Sequence, residues 1–255
     1  MFKRLIWKQD RVLLDDLVFR LQHYKSDNWE LGDECFIFFK IKHLIDQYAH
    51  FWGTRNDFKP KNILELGMFD GGSVAFWFEY FKPEKHVGVD IQQKQDSSYF
   101  RKYIQNKALQ DRISTFWSTN QGDSKRLRQI VNQEFSGPLD LVIDDASHMY
   151  DLTRQSFLTL FPLLRPGGLY VIEDWAWGHW QEFIKPDHPW SQKTPLTQLI
   201  IELVEATGST QGNWTEQAVV SNLAVYQGFV VVEKGKRDLA ETDFELEDYI
   251  NRVGK

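Results

Sequence analysis

The sequence predicts an α/β domain built on a mostly parallel sheet with helices on both faces, and three observations support this. From residue 62 onward, short apolar runs alternate with amphipathic runs of helical period. The apolar runs are nearly continuous, as strands buried on both faces require, and the helical runs are long enough for right-handed crossovers between parallel neighbours. Glycines or acids stand at the ends of the apolar runs, where such a sheet binds its ligands.

In chain order, strands are predicted at NILEL, HVGVDI, RISTFW, LDLVID and GLYVIED. The intervening GSVAFWFEYF, SSYFRKYIQNKAL, SKRLRQIVNQEF and LTRQSFLTLFPLL are the helices. A Trp-rich stretch follows, then the helix PLTQLIIELVEAT, then WTEQAVV and NLAVYQGFVVVEKG, two runs close enough to pair as an antiparallel hairpin at the sheet's end. Ahead of this domain, residues 9–25 and 34–52 carry apolar residues at helical spacing and predict two amphipathic helices, placed to cap a site or pair two subunits. The expected organisation is a helical segment over 1–58, the main domain over 59–235 and an acidic tail over 236–255 that the pattern does not place.

A chain of 255 residues, 42% hydrophobic and 26% charged, is long enough for one large α/β domain. No window approaches the roughly 18 uncharged apolar residues that span a bilayer. The opening MFKRLIWKQDRVLLDD lacks the apolar core and cleavage site of a signal peptide, so a cytoplasmic location and no membrane partner are expected. The single cysteine, Cys35, excludes an internal disulfide and a cysteine-based zinc cluster. With 36 acids against 30 bases, net charge −6, nothing supplies a basic face, and no nucleic-acid partner is expected.

Residues 62–73 read NILELGMFDGGS, a glycine turn with acids where a phosphate-binding turn would tolerate none. The spacing departs from G-x-G-x-x-G, and Glu65 and Asp70 would repel a pyrophosphate. They suit a ligand bearing an ammonium and a sulfonium, while the turn amides accept its carboxylate. S-adenosylmethionine is such a ligand. Asp90, ending the second strand, is placed to accept from both hydroxyls of a ribose. At the third strand end, Asn120-Gln121-Gly122-Asp123-Ser124 opens a helix; Asp123 either accepts from an adenine amino group or caps that helix.

The ordered set ELGMFDGGS, VGVD, QGDS, LDLVIDDASH and RPGGLYVIED resembles the class I S-adenosylmethionine-dependent methyltransferases over roughly residues 60–235. DDASH followed by GGLYVIEDW resembles the metal-dependent sugar O-methyltransferases that act on natural-product deoxysugars, a grouping shared with cephalosporin-hydroxylase-type proteins. The resemblance implies a Rossmann-like, seven-stranded sheet with the last strand antiparallel. The expected cofactor contacts are Glu65, Gly67, Gly71, Ser73, Asp90, Asp123, Ser124 and Asp144.

LVIDDASH places Asp144, Asp145 and His148 at the fourth strand end, and YVIEDW places Glu173 and Asp174 at the fifth. Carboxylates meeting at neighbouring strand ends repel one another unless a cation lies between them, and oxygen ligands suit Mg²⁺, or Mn²⁺ in its place. The resemblance implies Asp145, Glu173 and Asp174 as the ligands. A neutral imidazole at His148, three residues after Asp145, is suited to remove a proton from a hydroxyl held at that metal, and the resemblance implies a base there. WAWGHWQEFIKPDHPW holds Trp175, Trp177, Trp180 and Trp190, read either as a roof of flat indole faces for a sugar or as a subunit contact. Tyr150 lies close enough in sequence to line the same cavity. The expected activity is therefore Mg²⁺-dependent O-methylation of a sugar or glycoside, by a homo-oligomer, with a small-molecule acceptor. The rivals are a catechol-type methyltransferase, a cephalosporin-hydroxylase-like protein and a non-catalytic binding protein.

Overall fold

The protein was analysed as a computed structural model, which describes residues 2–21, 34–209, 218–239 and 244–250. Four strands open the chain: β1 (Ile6–Trp7), β2 (Arg11–Leu14), β3 (Leu17–Leu21) and β4 (Phe36–Phe38), hydrogen-bonded in that order. Helix α1 (Lys42–Gly53) then leads into the alternating region, β5 (Asn62–Leu66), α2 (Gly72–Phe81), β6 (Lys85–Val89), α3 (Ser98–Asn106), β7 (Ile113–Phe116), α4 (Ser124–Glu134), β8 (Leu139–Asp144), α5 (Tyr150–Leu160) and β9 (Leu164–Glu173). Helix α6 (Thr197–Gly208) and the strands β10 (Val220–Val225) and β11 (Phe229–Lys234) follow.

The main sheet has the order β10-β11-β9-β8-β5-β6-β7. From β9 to β7 every pairing is parallel, and β11 joins β9 antiparallel. The expected mostly parallel seven-stranded sheet is present. Its central strands are continuous apolar runs because both faces are covered: all six residues of β8 are buried. Strand order reverses beside β5, so the ends of β5 and β8 flank the crevice where a doubly wound sheet binds ligands.

Three expectations are corrected. Residues 9–25 do not form a helix. β2 and β3 make a hairpin, Leu14 opposite Leu17, around Asp15 and Asp16, with Asp15 at φ 53°. Val12, Leu14, Leu17 and Phe19 are its buried positions, alternating along each strand, whereas the helical spacing is carried by Leu13, Leu14, Leu17, Val18 and Leu21. The part of that predicted helix over 22–25 lies outside the described residues. The predicted helix over 34–52 is β4, parallel to β3, followed by α1. The closing hairpin lies within the last predicted run, β10 turning through 226–228 into β11. Most of WTEQAVV, 214–217, lies outside the described residues.

The small sheet explains why α2, GSVAFWFEYF, is apolar almost all round. One side packs on the main sheet, and the other meets the small sheet, with Phe76 5.0 Å from Phe38 and 6.0 Å from Phe19 between ring centroids. The acidic tail is partly core: Leu239, Phe244, Leu246 and Tyr249 are buried, and Phe244 meets Phe157 and Phe161 of the α5 region. Among the described residues no helix is long and apolar enough to cross a membrane.

Candidate active site

The ends of β5 and β8 touch. Asp145 donates its backbone N–H to Leu66 O at 2.9 Å, and Gly67 donates to Val89 O at 2.8 Å. Gly67 has φ +85°, and a Cβ there would lie 2.1 Å from the carbonyl oxygen of Asp145, so only glycine allows the approach. Beyond this junction opens a cavity of about 470 Å³, running from Asp90 past Gly67 to Asp145, His148 and Asp174.

At one end, the Asp90 carboxylate is oriented by backbone amides: Oδ2 accepts from Phe69 N and Oδ1 from Gln92 N, both at 2.8 Å. A carboxylate has lone pairs beyond those two bonds, so it retains acceptor capacity for hydroxyls. Phe69 and Phe39 meet edge to face at 5.0 Å on the same wall, and Lys94 lies 4.1 Å over the Phe69 ring.

The other end is acidic. Ligand atoms of Asp145, His148 and Asp174 all lie within 4.8 Å of one another, a set able to hold a metal ion. His148 and Asp174 occupy the left-handed region at φ 56° and 51°, conformations that cost a non-glycine residue energy and collect at functional sites. The His148 backbone is held by Trp177, whose Nε1 donates to His148 O at 2.7 Å. His148 Nε2 stands 3.9 Å from Asp145 Oδ1. Burial raises the pKa of Asp174, and His148 opposes it. Trp177, Trp180, Phe183 and Trp190 roof this end, with Trp177 and Trp190 5.2 Å apart.

Glu173 is in the cluster, but its carboxylate is engaged. Lys40 Nζ donates to both its oxygens at 2.7 Å and to Asp145 Oδ2 at 2.9 Å, and Tyr48 Oη donates to Oε1 at 2.8 Å. Burial would lower the Lys40 pKa, but the carboxylates of Asp145 and Glu173, with Glu65 behind them, raise it well above the ordinary lysine value. Lys40 is therefore a fixed positive charge. Burial and the Asp145 charge push Glu173 upward, and Lys40 pulls it down.

Of the predicted residues, the structure brings Gly67, Asp90, Asp145, His148, Asp174, Trp177, Trp180 and Trp190 to the cavity lining. The others stand elsewhere. Glu65 lies fully buried on the sheet face of Ile63, its Oε2 3.2 Å from His86 Nε2. Asp144 points inward and accepts from Gln121, Ser156 and Tyr170. Gly71 supplies the left-handed turn before α2, where a Cβ would lie 2.8 Å from the Phe100 ring, and Ser73 sits in the first turn of α2. Asp123 caps α4 by accepting from Arg126 N at 3.0 Å, the structural alternative the sequence left open. Ser124 meets Gln155 and Thr159, Tyr150 donates to Glu202, and Trp175 donates to Tyr226 O. Asp70 accepts from Ile37 N and Gly72 N, which ties the glycine turn to β4, and burial pushes its pKa up to about 6.

Sequence reasoning missed Lys40, Tyr48, Phe39, Phe69 and Gln121. Phe69 stood inside the quoted turn. Gln121 stood in the loop read for Asp123; its amide bridges Asp144 to Ser147 N of the next loop. Lys40 and Tyr48 gave no local signal, because their segment was read as one helix outside the domain.

A family model described as a methyltransferase domain matches residues 64–175, which contain Gly67, Asp90, Asp145, His148 and Asp174. The chain carries a methyltransferase domain. The demethylmacrocin O-methyltransferase of Streptomyces fradiae is 33% identical over 204 residues, 73% of this chain and 47% of that protein. The mycinamicin VI 2''-O-methyltransferase of Micromonospora griseorubida is 31% identical over 204 residues, 74% of this chain and 47% of that protein. The structure of the MycE methyltransferase in complex with Mg, SAH and mycinamycin VI is 29% identical with a TM-score of 0.56, over 77% of this chain and 50% of that one. The chain spans about half the length of the curated relatives it matches.

Proposed function

We propose that this chain is an S-adenosylmethionine-dependent O-methyltransferase acting on a hydroxyl of a sugar or glycosylated natural product, with Mg²⁺ or Mn²⁺ as cofactor and His148 as general base. One observation carries the reading: a single cavity joins a ribose-type acceptor, Asp90, to an acid and imidazole cluster, Asp145, Asp174 and His148. The donor chemistry fits a hard divalent ion, since carboxylate oxygens converge there, and a cavity of about 470 Å³ is of the size that small-molecule sites have. The named relatives are O-methyltransferases of demethylmacrocin and of mycinamicin VI, and the indole roof offers flat faces for a sugar ring.

When bound, the ion lowers the pKa of the acceptor hydroxyl and the sulfonium cofactor offers an electrophilic methyl group. The chain's residues do the rest. Asp90 holds the ribose, and Asp145 and Asp174, with Glu173 behind them, form the acidic end that receives the ion. His148 Nε2 would take the proton of the acceptor hydroxyl, leaving that oxygen as the nucleophile toward the methyl group the cofactor would supply. An imidazole suits this role more than ligation of Mg²⁺, which prefers oxygen. Trp177 Nε1 anchors this loop at the His148 carbonyl. The reading includes a cytoplasmic location and a homo-oligomeric state.

Methyl transfer from labelled S-adenosylmethionine to a panel of glycosides and catechols tests it. Transfer to glycosides, abolished by chelator and restored by Mg²⁺, is expected. Transfer to catechols alone moves the assignment to the catechol class, and cofactor binding without transfer to any acceptor rejects the enzymatic reading.

A further inference from the structure

Lys40 stands outside the matched methyltransferase region, yet its ammonium is among the most buried charges of the molecule. It is 3% exposed, lies between β4 and α1, and bonds three carboxylate oxygens on two neighbouring strand ends. A buried ammonium held this way is a tethered cation in a place where the acids would otherwise repel. It consumes particular lone pairs. Glu173 gives both oxygens to Lys40 and one also to Tyr48, and Asp145 gives Oδ2. Asp145 Oδ1 remains turned toward His148, and Asp174 faces the cavity. Glu173 is 1% exposed and does not line the cavity.

Resting on the metal reading above, we propose that Lys40 is a resident cation that claims Glu173 and one oxygen of Asp145, so that a divalent ion is received by Asp145 Oδ1 and Asp174 and not by Glu173. Lys40 is thus a positioning residue. It divides the acids into a pair locked to the small sheet and a pair left for the ion, and it trims the negative charge the ion meets. The division makes metal affinity depend on a residue from the N-terminal segment. It also predicts the sign of the response when Lys40 is removed: the ion gains a freed ligand and loses a repelling charge, and both changes tighten binding.

Mn²⁺ binding to the cofactor-free full chain, followed by electron paramagnetic resonance of the free aqua ion, reads this without turnover. Glu173→Gln is expected to leave the Kd within about threefold of wild type, while Asp174→Asn weakens it more than about tenfold, as loss of an uncompensated ligand should. Lys40→Met is expected to tighten Mn²⁺ roughly tenfold, and the double variant Lys40→Met/Glu173→Gln to lose that gain, the non-additivity expected of residues in contact. If Glu173→Gln weakens Mn²⁺ as much as Asp174→Asn, Glu173 is a ligand and the division is wrong; this comparison keeps the native lysine and decides even if Lys40→Met fails to fold. In chelator, thermal melting of the same set reads the pair alone: Lys40→Met should lower Tm and the double variant recover part of the loss, and no recovery rejects the pairing. Mn²⁺ that binds neither wild type nor any variant overturns the donor assignment together with the metal reading, while the melting cycle still decides the lysine–glutamate pair.

Discussion

The two ends of the cavity are built by different means. At the Asp90 end, one carboxylate is oriented by amides of the turns that follow β5 and β6, so the groups that hold it lie within the connections of the main sheet, and the N-terminal segment adds only Phe39 to the wall. At the acidic end, the main sheet supplies the carboxylates and the small N-terminal sheet and α1 supply the groups that hold them, Lys40 and Tyr48. The hydrogen bonding of the first end is local; the second ties chemistry to the docking of a separate layer. Asp70 belongs to the same seam, since it fastens the glycine turn to Ile37 of β4.

The sharpest separation between the ends is kinetic. If His148 removes the acceptor proton, His148→Ala should lower kcat by about 10² to 10⁴, the range that general-base removal costs, while the affinity for S-adenosylhomocysteine stays at the wild-type value. Cofactor affinity measured by calorimetry is the control, because the Asp90 end shares no contact with this ring. A variant with wild-type kcat, assayed where chemistry limits the rate, removes His148 from the mechanism. A parallel loss of cofactor affinity breaks the independence of the two ends.

How much of this was legible in the sequence follows the same division. β5 to β9 were readable because strands buried on both faces leave uninterrupted apolar runs, and Asp90, Asp145 and Asp174 were readable because a strand's end says where its residue stands. Glu65 was misplaced although it is only two residues from Gly67: within a strand, the alternation of side chains turns it away from the crevice, to the face of Ile63 and against His86. Asp123 and Ser124 were placed correctly along the chain, but the need to cap α4 and to meet α5 claimed their side chains. The small sheet was not readable, since Leu13, Leu14, Leu17, Val18 and Leu21 recur at helical spacing and only the pairing of β2 with β3 selects Val12, Leu14, Leu17 and Phe19 as the buried set. With it went Lys40, whose partners lie 105 and 133 residues away.

The seam itself responds to pH. Burial raises Asp70 from 3.8 to about 6, so the folded protein holds this proton more tightly than the unfolded chain. The stability the group contributes is therefore full below pH 3.8 and is lost as pH rises to about 6. A shift of about two units corresponds to at most about 3 kcal/mol. Asp70→Asn carries no titration and keeps one acceptor for the amides of Ile37 and Gly72. Urea unfolding of both proteins from pH 4.5 to 7.5 should show wild type losing stability relative to the variant across that interval. A difference that stays constant with pH means that Asp70 is not held as a buried acid between the two layers.

The smallest expected effect is at the local end, and it concerns affinity more than folding. If Asp90 holds the ribose, Asp90→Ala removes the acceptor for its hydroxyls, and S-adenosylhomocysteine binding should weaken by more than about tenfold, or about 1.4 kcal/mol. It also strips the Phe69 and Gln92 amides of their partner, but these line an open cavity where water can replace the carboxylate, so the ligand-free protein should lose only about 1 kcal/mol of stability. Mn²⁺ affinity should be unaffected, because Asp90 is not among the groups converging in the cluster of Asp145, His148 and Asp174. Calorimetry with cofactor and titration with Mn²⁺ on the same preparation separate these outcomes. If Asp90→Ala weakens Mn²⁺ as strongly as it weakens the cofactor, the two ends are one coupled unit and the contrast between a locally built end and a docked end fails.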